Sequence, residues 1–145
     1  KIVSQLAEIK YGKRTRLYLG NINAKRDWGF SMDYVEAMWK MLQLSKPDDF
    51  VISSGMTYTV KSFINKAAKE FGFKLLWKGK GIHEKAYDMK TNKLIVSIDK
   101  KYFRPTEVNY LFGDFKKAKK VLNWKPKTNL NQLIKIMCDY ETSKY

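Results

Sequence analysis

The chain has 145 residues, 44% of them hydrophobic and 14% aromatic, with four tryptophans, which excludes a disordered polymer and allows one packed domain or one lobe of something larger. Twenty-nine basic against 14 acidic residues leave a formal charge of +15, so any polyanion is concentrated near the surface. A single cysteine, Cys138, excludes an internal disulfide, and no apolar run is long enough to span a bilayer.

In chain order, Ile2, Val3, Leu6 and Ile9 follow helical spacing over Lys1 to Lys13, with Gly12 as the stop. Leu17-Tyr18-Leu19 is a short strand ending at Gly20-Asn21. Asn21 to Gly29 is a polar loop that sets Lys25 and Arg26 beside Asp27 and Trp28. Ser31 is expected to cap the next helix, in which Tyr34, Val35, Met38, Trp39 and Leu42 form a stripe predicted to face a core. Phe50-Val51-Ile52 reads as a strand covered on both faces. Thr59 opens a helix whose apolar side is Val60, Phe63, Ile64, Ala67, Ala68 and Phe71, stopped by Gly72.

Leu75-Leu76-Trp77 is a strand, Lys78 to Asn92 is expected to be a loop, and Leu94 to Ile98 is a clear strand. Asp114 is expected to cap a helix that stops at Asn123-Trp124-Lys125-Pro126. Asn129 starts a last helix with Leu130, Leu133, Ile134 and Met137 on its apolar side. Alternating helices and strands predict an α/β architecture.

The stretch 101–108 places Arg104 and Glu107 three residues apart around Pro105. A guanidinium fork suits phosphate and a carboxylate accepts from hydroxyls or a ring NH, while on these eight residues alone the plainer reading of the pair is a surface salt bridge in a turn. Gly79-Lys80-Gly81 is no dinucleotide fingerprint, because Glu84 stands at the third glycine and no helix pattern follows. His83 is the single histidine, which excludes a histidine metal cluster and a histidine triad of the common kind. Cys138 reads as a buried inert thiol, and no metal is expected.

Tyr18-Leu19-Gly20-Asn21, Ala24-Lys25-Arg26-Asp27-Trp28-Gly29, Asp33-Tyr34-Val35-Glu36-Ala37-Met38-Trp39, Asp49-Phe50-Val51-Ile52, Tyr102 to Val108, and Lys117-Ala118-Lys119 with Leu122-Asn123-Trp124-Lys125-Pro126 resemble the GDP-mannose 4,6-dehydratase family of extended short-chain dehydrogenases. Order and spacing match over nearly the whole chain, but only over the carboxyl-terminal part of a family member. The first residue is lysine rather than methionine, which fits a cropped or processed start.

The resemblance implies a fold class of α/β, a substrate-binding lobe plus elements that would complete a Rossmann sheet, with the nucleotide-binding fingerprint absent. It treats 1–145 as one GDP-sugar-binding portion, about 27–72 of it packing on the missing Rossmann lobe. It implies that the complete protein binds GDP-mannose and NADP, oxidises the hexose at C4, eliminates water across C5 and C6 and returns hydride to C6. The product would be GDP-4-keto-6-deoxy-D-mannose, on the way to GDP-fucose or another GDP-deoxyhexose. Lys1 and Arg26 would contact phosphates, Arg104 and Glu107 would clamp the diphosphate and the ribose or base, and Asn21 would line the same pocket.

The catalytic residues would lie outside this chain, so it should bind without turning over. Tyr140 and Lys144 carry the family's tyrosine and lysine spacing but fall at the carboxyl end, where the match reads as chance. Phe30 and Met32 stand where the family usually has histidine and lysine. The expected partners are GDP-mannose, the missing lobe and, in the complete enzyme, further copies in a dimer or tetramer, in the cytoplasm. The resemblance also makes Phe50-Val51-Ile52 a strand of the missing Rossmann sheet, so the isolated chain would expose an apolar edge there and associate or be partly disordered. Two alternatives are another extended short-chain dehydrogenase, preferring uridine or thymidine diphosphate sugars, and a basic nucleic-acid module with steep salt dependence.

Overall fold

A computed structural model of the chain describes residues 1–103, 106 and 108–145. The helices are α1 (Ile2–Lys10), α2 (Ser31–Leu42), α3 (Val60–Glu70), α4 (Lys116–Val121) and α5 (Leu130–Thr142). The strands are β1 (Leu17–Leu19), β2 (Lys25–Arg26), β3 (Tyr58–Thr59), β4 (Leu75–Lys78), β5 (Lys85–Asp88) and β6 (Leu94–Ile98). The chain divides into two compact units, one of 1–24, 59–109 and 134–145, the other of 25–58 and 110–133.

The first unit is built on a four-stranded sheet in the order β1-β6-β5-β4. β1 runs parallel to β6, whereas β6-β5 and β5-β4 are antiparallel. β6 needs its near-continuous apolar run because Ile95, Val96 and Ser97 are all buried. The core gathers Val3, Leu6 and Ala7 of α1 and Phe63, Ile64, Ala67 and Ala68 of α3 with Leu17, Ala86 and Val96 of the sheet.

Both helices end as the glycines dictate. Gly12 adopts φ +73 after α1. Gly72 adopts φ +84 after α3, where its N–H donates to Lys69 O and the N–H of Phe73 donates to Ala68 O, the paired bonds that close a left-handed cap. Thr59 caps the other end of α3, its hydroxyl accepting from Ser62 N at 3.0 Å.

The segment expected to be a loop after β4 contains β5. Its alternation is visible in burial, with Ala86 and Asp88 inside, but Lys85 and the flanking glycine and lysines hide it in sequence. Burial alone would raise the pKa of the Asp88 carboxyl. It is held instead below the usual carboxylate range by hydrogen bonds from Thr91 Oγ1 and from the backbone N–H groups of Lys74, Thr91 and Lys90. A lowered folded value means stabilisation that is complete above about pH 4 and is lost as pH falls through the folded value. Asp88→Asn should therefore lower the urea midpoint at pH 7 and flatten its decline in acid; an unchanged acid limb would show that Asp88 does not titrate with unfolding.

In the second unit, Ala37, Ala118, Leu122 and Trp124 form the buried cluster, flanked by Tyr34, Met41, Leu44, Phe50, Ile52 and Phe115. Trp124 Nε1 donates to Asp33 O at 2.8 Å, and Asp33 Oδ2 accepts from the N–H groups of Lys127 and Thr128. Asn123 follows α4 at φ +47, the left-handed turn that asparagine tolerates. Asp114 Oδ1 accepts from Lys116 N at the start of α4, but Asp114 stands one residue before the cap position, which Phe115 holds without a side-chain bond, so the expected cap is displaced.

Two further expectations fail in this unit. Ser31 is the first helical residue rather than the cap; Phe30 holds that position without a side-chain bond. The stripe of α2 is not the core face. Val35, Met38, Trp39 and Leu42 are exposed, Leu42 at 82%, while Tyr34, Ala37 and Met41 pack inward. The helix is apolar on two sides, and small Ala37 lets it approach Trp124 closely, so the bulkier stripe loses.

Phe50-Val51-Ile52 is extended but is not a strand of either sheet. Phe50 and Ile52 pack on the cluster and Val51 is exposed, so one face is covered rather than two. The resemblance assigns its ladder to a Rossmann sheet outside this chain, and within the chain the three residues alternate over a helical core.

Candidate functional site

In the first unit β1 and β6 are parallel, so the segments leaving their carboxyl ends emerge on one side of the sheet, the usual ligand side of an α/β fold. The ladder is extended there by Asp99 N donating to Leu19 O at 2.8 Å. Asp99 Oδ1 accepts from Lys101 N, and Tyr102 N donates back to Asp99 O, closing a single turn over Lys100–Tyr102.

Gly20 lies directly against that turn. A Cβ added to it would stand 2.1 Å from Tyr102 O and 2.6 Å from Tyr102 C, so the backbones can meet only because the side chain is absent.

Lys1 Nζ lies 3.5 Å from the centroid of the Tyr102 ring. Asn21 Nδ2 donates to Asn109 Oδ1 at 3.1 Å, and Asn21 Oδ1 accepts from Asn23 N. Lys1 and Asn21 thus hold the residues on either side of the Arg104 and Glu107 stretch. Arg104 and Glu107 themselves lie outside the described residues. Arg26 belongs to the second unit, half-buried in β2, with Nη1 donating to Lys25 O at 2.8 Å. Beside it, Asp27 accepts from the N–H groups of Ser54 and Gly55.

The edge offers an ammonium, a carboxamide and the backbone of a lysine-rich turn, a donor-rich setting for a phosphorylated ligand. Gly20, Tyr102 and Asn109 also belong to this edge, and the sequence reading did not single them out as candidate site residues. Gly20 was visible as a strand stop and within the Tyr18-Leu19-Gly20-Asn21 motif, Tyr102 as the start of the Tyr102 to Val108 motif, and Asn109 carries no local signal.

Other candidates resolve against chemistry. Cys138 is buried, and burial with the charges of Glu70 and Asp139 pushes its thiol up to about 12, so it is no thiolate nucleophile at neutral pH. Tyr140 is exposed near the end of α5, with Lys144 Nζ 4.4 Å from its ring centroid, an ordinary surface contact. Among the described residues no group of three His, Cys, Asp or Glu could hold a metal ion, and no helix is long and apolar enough to cross a membrane.

The family model for GDP-mannose 4,6 dehydratase matches residues 1–137. A GDP-mannose 4,6 dehydratase of Dictyostelium discoideum is 52% identical over 137 residues, covering 94% of this chain and 38% of the relative. The Homo sapiens protein of that name is 45% identical over 137 residues, covering 94% and 37%.

Among solved structures, RMD from Pseudomonas aeruginosa complexed with NADPH superposes with a TM-score of 0.76 at 18% identity, covering 99% of this chain and 42% of that one. The dTDP-glucose 4,6-dehydratase of Bacillus anthracis in complex with NAD gives 0.71 at 15%, covering 99% and 39%. These likenesses show the fold, an α/β arrangement shared with about two fifths of each of those chains. The chain spans under two fifths of the length of these curated relatives. With a family model matched over nearly all of it and identities this high, the chain belongs to the GDP-mannose 4,6-dehydratase family.

Proposed function

We propose that this chain is the GDP-sugar-holding part of an NADP-dependent GDP-mannose 4,6-dehydratase, a cytoplasmic lyase that converts GDP-D-mannose to GDP-4-keto-6-deoxy-D-mannose for GDP-fucose or related deoxyhexose synthesis. The observation that carries this reading is the convergence of Gly20, Asn21, Lys1 and the Lys100–Tyr102 turn at the carboxyl ends of two parallel strands. By the family resemblance Lys1 and Arg26 contact phosphates, Arg104 and Glu107 clamp the diphosphate and the ribose or base, and Asn21 lines the pocket.

The described residues do not fit a dinucleotide. Gly79 and Gly81 lead into a one-turn helix and then antiparallel β5, so no long helix presents its amino end to a pyrophosphate. The cofactor site and the catalytic groups are therefore assigned to the remainder of the protein, and this chain alone binds without turnover. The same remainder covers part of 27–72, where Val35, Met38, Trp39 and Leu42 are exposed, and the complete enzyme assembles as a homo-oligomer.

Amide NMR titration of the chain checks the reading. GDP-mannose should shift Lys1, Gly20, Asn21, Arg26 and 101–109, with affinity about tenfold or more above that of UDP-glucose, a difference of about 1.4 kcal/mol. A folded sample that ignores GDP-mannose, or equal responses to both sugars, would remove the assignment. Broad shifts with duplex DNA alone would favour a basic nucleic-acid module.

A further inference from the structure

At the opposite edge of the sheet, before β1 and β6 begin, a cavity of about 410 Å³ is lined by Ile9, Gly12, Arg14, Thr15, Arg16, Lys93, Leu94 and Ile95. All of it lies within the first unit. It is separated from the candidate sugar-nucleotide edge by the length of β6, five residues or about 16 Å.

Three cations line this cavity and no carboxylate does. Arg14 is paired with Glu8. Among the described residues no carboxylate is paired with Arg16, whose guanidinium carbon lies 5.7 Å from the centroid of the Tyr18 ring. Its Nη1 lies 3.5 Å from Tyr18 Oη, at the long limit of a hydrogen bond, and its Nε is shut off from solvent with no acceptor. The sealed Nε is out of a ligand's reach, so an anion in the cavity meets this guanidinium through its Nη groups. Thr15 adds a hydroxyl and a backbone N–H to the same rim, and Ile9, Leu94 and Ile95 supply apolar wall.

The volume decides what kind of anion fits. One water occupies about 30 Å³, so 410 Å³ far exceeds what a bare phosphate fills. From these observations we propose a second ligand site here, for a small organic phosphate ester: its phosphoryl oxygens are held by Arg16 and Lys93 with Thr15, and its carbon body lies against Ile9, Leu94 and Ile95. Arginine is the suitable residue, because its planar fork takes two phosphate oxygens at once. The site stands independently of the sugar-nucleotide reading, since it uses neither the same loops nor the same edge.

The test is titration of the chain with phenyl phosphate, inorganic phosphate and benzyl alcohol, followed by amide shifts at Thr15, Arg16, Lys93 and Leu94 and by phosphorus line width. Phenyl phosphate should shift these amides, inorganic phosphate should bind about threefold or more weaker, and benzyl alcohol should not register, as a mixed charged and apolar site requires. Arg16→Met should weaken phenyl phosphate about tenfold or more, and Lys93→Gln, an exposed position, about threefold, neither lowering the urea midpoint.

Equal binding of phosphate and its ester would overturn the ester assignment. Shifts scattered over surface lysines, or an unaffected Arg16→Met, would overturn the site. Lys93→Gln keeps the test decisive if the arginine variant does not fold. Retained GDP-mannose shifts at Gly20 and Asn21 in either variant separate this outcome from failure of the sugar-nucleotide assignment.

Discussion

Gly20→Ala is expected to destabilise the first unit by about 2–3 kcal/mol, the upper range for forcing extra volume into packed structure, and to abolish the GDP-mannose response at Lys1 and Asn21. The methyl group would need the space of the Tyr102 carbonyl, 2.1 Å away, and that neighbour is backbone, not a side chain that can swing aside. Either β1 withdraws from β6, lengthening the 2.8 Å bond from Asp99 N to Leu19 O, or the Lys100–Tyr102 turn moves outward. Both break the edge that carries the candidate site.

Gly12→Ala is the control. Gly12 has φ +73 and open space around its Cβ position, so its cost is conformational alone, about 1 kcal/mol, and falls far from the edge. Urea midpoints and amide spectra of both variants decide the matter. A Gly20→Ala chain with the parent midpoint and unmoved Lys101, Tyr102 and Phe103 amides would refute the close-approach argument.

The legible parts of the fold were those with one dominant periodicity. α3 could be placed from Thr59 to Gly72 because its cap, its apolar face and its stop all agree. β6 is unmistakable because burial on both faces leaves no room for polar residues other than Ser97. α2 misled because two apolar faces compete and sequence cannot say which neighbour is present; the choice fell to Ala37, the least conspicuous residue of the helix. β5 was hidden because an exposed strand face can carry lysines without disturbing its buried Ala86 and Asp88.

The candidate site was legible in an uneven way. Lys1 and Asn21 came from family resemblance, not from any pattern, and their shared feature, contacts with the residues flanking 104–107, is purely tertiary. Gly20 could have been suspected from its place directly after a strand, yet only the approach of Tyr102 gives the reason. Arg16 had no visible role, since a basic residue before a strand is ordinary until the fold sets it beside Lys93 at one cavity.

Trp124→Ala should be the most damaging substitution in the second unit, at about 3–5 kcal/mol, the range for deleting a buried indole. Trp124 is 1% exposed and stands edge-on to Tyr34 and Phe115, with centroids 6.2 and 5.9 Å away. The buried cluster around it has only Ala37, Ala118 and Leu122 as further members, two of them too small to collapse into the space left. Trp124→Phe separates packing from hydrogen bonding. It keeps a ring between Tyr34 and Phe115 but removes the donor to Asp33 O, and should cost about 1–2 kcal/mol.

Hydrogen exchange reads both variants without relying on indole fluorescence. Amides of α2 and α4 should lose protection in Trp124→Ala and keep most of it in Trp124→Phe. Equal losses would mean that the bond to Asp33 outweighs the ring. No loss in either would mean that the ties from Asp33 Oδ2 to Lys127 and Thr128 and from Lys40 Nζ to Asn123 O hold the Asn123-Trp124-Lys125-Pro126 segment on α2 by themselves, and that the indole fills space the segment could leave empty.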